Sequence, residues 1–120
     1  MLCSLKNKIA IVTGGASGIG QAISTLFAHQ GAIVHILELN HQQAEKEVDA
    51  IRSSGGLAFA HSVDISVQSE VNKVISEIGQ SGNIDILVNN AGIAHIGNAD
   101  NTDEADFDRI VAVNIKGTYN

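Results

Sequence analysis

Lys8-Ile9-Ala10-Ile11-Val12-Thr13-Gly14-Gly15-Ala16-Ser17-Gly18-Ile19-Gly20 opens with a short apolar, β-branched run and breaks off into a turn with almost no side-chain bulk. Past the turn, Ile19, Ala22, Ile23, Leu26 and Phe27 recur at helical spacing, so the stretch reads as strand, tight turn and amphipathic helix. A helix entered this way presents unpaired backbone N–H groups and the positive end of its dipole to the turn. An anion is stabilised there, and a dinucleotide pyrophosphate is held by the same geometry. A glycine-rich turn alone is also an ordinary loop. The strand before it and the helix after it favour the phosphate reading.

The pattern repeats outward from that point. Gly31 closes the first helix, and Ile33 to Leu39 forms the second strand. Ala44, Val48 and Ile51 make the inner stripe of a charged helix closed by Gly55-Gly56, and Leu57 to Val63 follows as the third strand. Val67, Val71, Val74, Ile75 and Ile78 mark the third helix, after which Gly79, Ser81 and Gly82 turn the chain into Ile84 to Val88, the fourth strand. Strands alternating with helices predict parallel pairing through right-handed crossovers. The expectation is a doubly wound, Rossmann-like α/β fold of three layers, α/β/α, with residues 1–120 as one domain. A further helix, entered from Thr102 or Asp103, reaches Asn120 with no stop signal. Four strands in the doubly wound order leave the fourth as an open edge. The chain therefore reads as truncated, the amino-terminal portion of a longer fold.

Composition excludes several function classes. Apolar residues make up 44% of the 120 and charged residues 17%, and no stretch approaches the roughly 20 apolar residues of a membrane span. Seven basic against thirteen acidic residues leave a formal charge of −6 with no basic stripe, so nucleic acid is not an expected partner. The apolar run after Lys6 and Lys8 is too short for a signal peptide. A single cysteine, Cys3, permits no internal disulfide, which fits a reducing compartment and makes the cytoplasm the default location. None of the histidines, at 29, 35, 41, 61 and 95, pairs with another at helical spacing beside an acid. No metal site is expected. His95 is placed either to touch a substrate or simply on a surface loop.

The spacing Gly14-x-x-x-Gly18-x-Gly20 departs from the usual G-x-G-x-x-G. Asp64-Ile65 after the third strand, Asn89-Asn90-Ala91-Gly92 after the fourth and Val113-Asn114-Ile115-Lys116-Gly117 in the last helix follow it in order. With these four motifs the chain, from about Lys6 onward, resembles the short-chain dehydrogenase/reductase family. The resemblance implies hydride transfer between a nicotinamide and a carbonyl or secondary alcohol. It places Gly14, Ser17, Gly18, Ile19 and Gly20 around the pyrophosphate, Asn90 against a ribose with Ala91 beside it, and Gly92 where close approach is needed. It gives Asp64 a hydrogen bond to the adenine and Ile65 a backbone contact. The residues also allow other roles: Asn89 is placed to tie loops together, and Asp64 to cap a helix from Ser66 onward.

Glu38, at the end of the second strand, can accept hydrogen bonds from the adenosine ribose hydroxyls and repel a 2′-phosphate. Ser17 and Leu39 stand where a neutralising arginine or lysine would be, so NAD is expected in preference to NADP. The alternative is a solvated charge at a strand end. Asn114 shares a helical stripe with Phe107, Ile110 and Val111. A buried amide is costly unless hydrogen-bonded, so it either satisfies a structural break or holds an ordered water. The resemblance implies the water, in a proton relay to a catalytic lysine, and so a catalytic role for Asn114.

The family's tyrosine general acid/base, the lysine four residues later and the serine about a dozen before cannot be placed. Tyr119, the only tyrosine, has one residue after it. This stretch alone is expected to lack turnover, and the full-length form to be a homo-oligomer acting on a small carbonyl or alcohol. Two other readings are a non-catalytic NAD-binding or interaction protein, and a Rossmann-like methyltransferase in which the asparagine motifs would have no role.

Overall fold

The computed structural model describes residues 4–90. Four strands, β1 (Ile9–Thr13), β2 (Ile33–Glu38), β3 (Leu57–Ser62) and β4 (Ile84–Val88), alternate with three helices, α1 (Gly18–His29), α2 (His41–Ser53) and α3 (Gln68–Gln80). The sheet is parallel throughout in the order β3-β2-β1-β4. This is the doubly wound, Rossmann-like arrangement that the alternation predicts, with β4 at one edge among the described residues.

All five residues of β1 are buried, as expected for a central parallel strand covered on both faces. Side chains alternate between the two faces. Ala10 and Val12 join Val34, Ile36, Val48 and Ile51 under α1 and α2. Ile9 and Ile11 join Leu37, Val71, Val74 and Ile78 under α3. One departure from the ladder lies at the start of the strand, where the β1–β4 register shifts between Ile9 and Ala10. There the Ile9 N–H donates to Asp85 Oδ2 at 3.0 Å.

Helix α1 lies on the sheet by a different stripe from the one hydropathy selects. Gly20, Ser24 and Ala28 are its buried residues, with Ile23 and Phe27 partly buried against the core. Ile19 and Leu26 are instead 74% and 56% exposed. The cause is distance: the helix sits so close to the glycine turn that only small residues fit its contact line, and the spacing between packed elements follows the side chains between them. In α3, Val71, Val74 and Ile78 are buried as the spacing predicts, while Val67 is the exposed residue before the helix.

Two titratable side chains, besides the hydroxyls of Thr13 and Ser24, are buried in this apolar frame. Glu47 of α2 is buried and accepts hydrogen bonds from Gln21 Nε2 at 2.9 Å and Thr25 Oγ1 at 2.7 Å. The carboxylate ties α2 to α1, and the bonds offset part of its desolvation. On the opposite face, His35 of β2 is buried with its Nδ1 2.9 Å from Nε2 of His61 on β3. One of these nitrogens carries the proton and the other accepts it. The His35 ring also stacks on Phe59, centroids 5.2 Å apart.

Burial, reinforced by the neighbouring His61, pushes the His35 imidazole from 6.5 down to about 4. Burial lowers His61 as well, against the opposing pull of Glu77. Between those two values the unfolded chain takes up the proton that folded His35 refuses, so acid favours unfolding there. The contribution of His35 to stability is expected to be complete above 6.5, to fall as the pH drops toward 4 and to be fully lost below that. Urea midpoints across this range measure it. His35→Phe should flatten the fall, and an unchanged slope would assign it to other groups.

Candidate functional site

In a parallel doubly wound sheet, ligands bind beyond the carboxyl ends of the strands, where the chain leaves adjacent strands in opposite directions. Here the strand order reverses between β1 and β4, since β2 and β3 follow on one side of β1 and β4 lies on the other. Thr13, Glu38 and Ser62 end their strands along this edge, and Asn90 follows β4.

The turn after β1 is fixed on three sides. The Gly14 N–H donates to the Leu37 carbonyl of β2 at 2.8 Å. The Gly14 carbonyl accepts from Asn90 Nδ2 at 3.1 Å, and the Asn90 N–H donates to Thr13 Oγ1 at 3.0 Å. Thr13 in turn donates from that oxygen to the Val88 carbonyl at 3.3 Å, joining β1 to β4 where their ladder ends. On the fourth side lies α1: a Cβ added at Gly20 would overlap the Gly14 carbonyl oxygen and the Asn90 amide nitrogen. Only a residue without a side chain admits that approach.

Gly14 and Gly18 take left-handed φ values of 63° and 55°, which glycine adopts without the Cβ penalty. Nothing lies within 4 Å of a Cβ built on Gly18, so the opening of the helix faces free space. Ser17 is the N-cap of α1, and its side chain makes no cap hydrogen bond. No acid occupies the first turn of α1. The other two helices differ: Asn40 caps α2 by accepting the Gln43 N–H at 3.1 Å, and α3 carries Glu70 in its first turn. Among the described helices, α1 alone keeps both its N–H groups and its dipole end unspent. These residues fit a diphosphate, which needs open donors, a positive end and room for close approach.

The other expected contacts are distributed along the same edge. Glu38 is half-buried, and its Oε1 accepts the Asn40 N–H at 3.3 Å. Asp64 Oδ1 accepts from the Ser66 N–H at 3.0 Å and the Ser66 hydroxyl at 2.6 Å. Its local task is thus to close the turn at Ser66, while α3 itself starts two residues later, with Val67 as its N-cap. Ile65 is buried in the core under α3. Ile19 is open to solvent beside the turn, and Asn89 is exposed while Asn90 carries the loop-tying contacts. Ala91, Gly92, His95 and Asn114 lie outside the described residues.

The sequence shows Thr13 and Gly15 as part of the turn without an individual role and gives none to Ser24, and the structure brings the three together at the turn. The signal for Ser24 is the small-residue row Gly20, Ser24, Ala28, which apolar periodicity does not display. Volume is a poorer guide than chemistry here. A cavity of about 700 Å³ between α1 and α2, lined by Gln21, Thr25, Leu26 and Glu47 among others, meets the turn only at Gly18.

Known proteins share this chain's sequence pattern and fold. The family model for short chain dehydrogenase matches residues 8–120. An uncharacterized oxidoreductase of Bacillus subtilis, YxbG, is 44% identical over 117 residues, covering 96% of this chain and 43% of that protein. 2-(S)-hydroxypropyl-CoM dehydrogenase 3 of Xanthobacter autotrophicus is 36% identical over 116 residues, covering 96% and 46%. The crystal structure of a 3-ketoacyl-(acyl-carrier-protein) reductase from Brucella melitensis, complexed with NADH, superposes with a TM-score of 0.87 at 40% identity, over 97% of this chain and 47% of that one. The chain belongs to the short chain dehydrogenase family. It spans about half the length of the curated relatives it matches.

Two glycine substitutions separate space from conformation at the turn. Gly20→Ala forces the helix off the turn and should cost roughly 1–3 kcal/mol, as overpacking does. Gly18→Ala meets no atom and should cost only about 1 kcal/mol, for its left-handed backbone. Urea unfolding of both variants checks the order, and a reversed order would contradict the packing described.

Proposed function

We propose that this chain is the cofactor-holding part of an NAD-dependent oxidoreductase acting on a carbonyl or secondary alcohol. The observation that carries the reading is the open amino end of α1, which has neither a side-chain cap nor an acid in its first turn. Family membership supports the class of reaction, and the NADH in the Brucella melitensis reductase supports a nicotinamide cofactor. When bound, that cofactor supplies the hydride donor and acceptor.

The protein's own residues then bind and orient. Gly14, Ser17, Gly18, Ile19 and Gly20 surround the diphosphate, with backbone N–H groups as the donors. Glu38 accepts hydrogen bonds from the adenosine ribose and repels a 2′-phosphate. The free oxygen of Asp64 is available to the adenine, because Ser66 occupies only Oδ1. Ile65 is assigned a backbone contact to the adenine, Asn90 a contact to a ribose with Ala91 beside it, and Gly92 a close approach of backbone to cofactor. Asn114 is assigned the water of a proton relay. The whole protein is proposed to work in the cytoplasm as a homo-oligomer.

Two measurements test this. NADH should bind and raise the melting temperature more than NADPH does. Glu38→Ala should weaken NADH by roughly tenfold or more, the scale of hydrogen bonds to a charged group, and narrow the gap between the two nucleotides. A folded, monodisperse sample that ignores both nucleotides at millimolar dose overturns the assignment. With Tyr119 as the only tyrosine and no Tyr-x-x-x-Lys in these 120 residues, the chain by itself should form no NADH from secondary alcohols. A rate above that of a boiled control would contradict this.

A further inference from the structure

Ser24 is wholly buried, one turn into α1 from Gly20. Its hydroxyl lies 2.9 Å from the Gly20 carbonyl oxygen and 3.1 Å from that of Gly15. The first contact is the usual bond of a helical serine to the residue four earlier. The second leaves the helix and reaches into the turn. A hydroxyl has one proton to donate, so these two carbonyls share it.

The Gly14 carbonyl is held separately, by Asn90 Nδ2. Both carbonyls at the start of the turn are therefore engaged toward the packed seam between α1, β1 and β4. No peptide bond in this region is cis, and in a planar trans peptide the N–H points opposite to the carbonyl. Holding the Gly14 and Gly15 carbonyls inward thus aims the Gly15 and Ala16 N–H groups away from Ser24 and Asn90. The fit at Ser24 is close: a Cβ on Gly15 would stand 2.7 Å from its hydroxyl oxygen.

We propose that Ser24 is a positioning residue for the nucleotide, its buried hydroxyl fixing the Gly15–Ala16 peptide so that the turn is set for a diphosphate before one arrives. The inference rests on the nucleotide reading above. Without the hydroxyl, the Gly15 carbonyl loses this donor and its peptide is free to rotate. Part of the binding energy is then spent on ordering the turn.

The test uses the whole chain with NADH as the probe. Ser24→Ala should fold, weaken NADH about fivefold, the scale of one net hydrogen bond, and move the Gly15 and Ala16 amide resonances of the nucleotide-free protein. Ser24→Thr, which keeps the hydroxyl, should restore both readouts. A folded Ser24→Ala protein with a lowered melting temperature but unchanged NADH affinity overturns the proposal and leaves the nucleotide reading intact. If the parent chain binds neither NADH nor NADPH, that reading falls and the proposal with it. Should Ser24→Ala fail to fold, Ser24→Cys, similar in shape and a weak donor, is judged by the same outcomes.

Discussion

The contact between the first turn of α1 and the backbone after β1 leaves no room for a side chain, and much of the architecture follows from it. With Gly20 against the Gly14 carbonyl and the Asn90 amide, the helix descends onto the sheet, and the next residues on that line, Ser24 and Ala28, must also be small. The same approach brings the end of β4 within reach of the turn, so Asn90 and Thr13 can bridge strands that their ladder no longer joins. A bulkier residue at position 20 would separate all three parts at once. One steric constraint therefore links helix, turn and strand edge.

The three described helices use their amino ends differently. The end of α2 is satisfied locally by Asn40, and Glu70 lies in the first turn of α3. That of α1 has neither, although a side-chain cap there would stabilise the helix by about 1 kcal/mol. Leaving those donors open is a local cost that makes sense where an anion completes them. The carboxylates along the same edge are also selective in what they bond. Asp64 spends one oxygen on Ser66, and Glu38 makes a longer bond to the Asn40 N–H.

The element order and the parallel sheet were legible from apolar runs and glycine breaks, because both depend on local periodicity. Strand limits agree to within a residue at the ends of β2 and β3, where Leu39 and Val63 lie just outside. The face of α1 was not legible in the same way. Ile19 and Leu26 belong to the apolar set that recurs at helical spacing, yet both are exposed, because the short distance to the turn selects for size before it selects for apolarity. Glu47 escaped for a related reason: a charged residue reads as solvated until Gln21 and Thr25, from another helix, are seen to bond it.

Local pattern alone determined the succession of strands and helices, the place of the glycine turn between β1 and α1, and the acid at the end of β2. These are matters of periodicity, backbone freedom and chain order, all carried by near neighbours. Tertiary structure alone decided that Thr13, Gly14, Gly15, Gly20, Ser24 and Asn90 form one hydrogen-bonded seam. Such a seam depends on how close two elements come and which way a peptide plane is turned. Neither quantity exists until the sheet is assembled and the helix is seated on it.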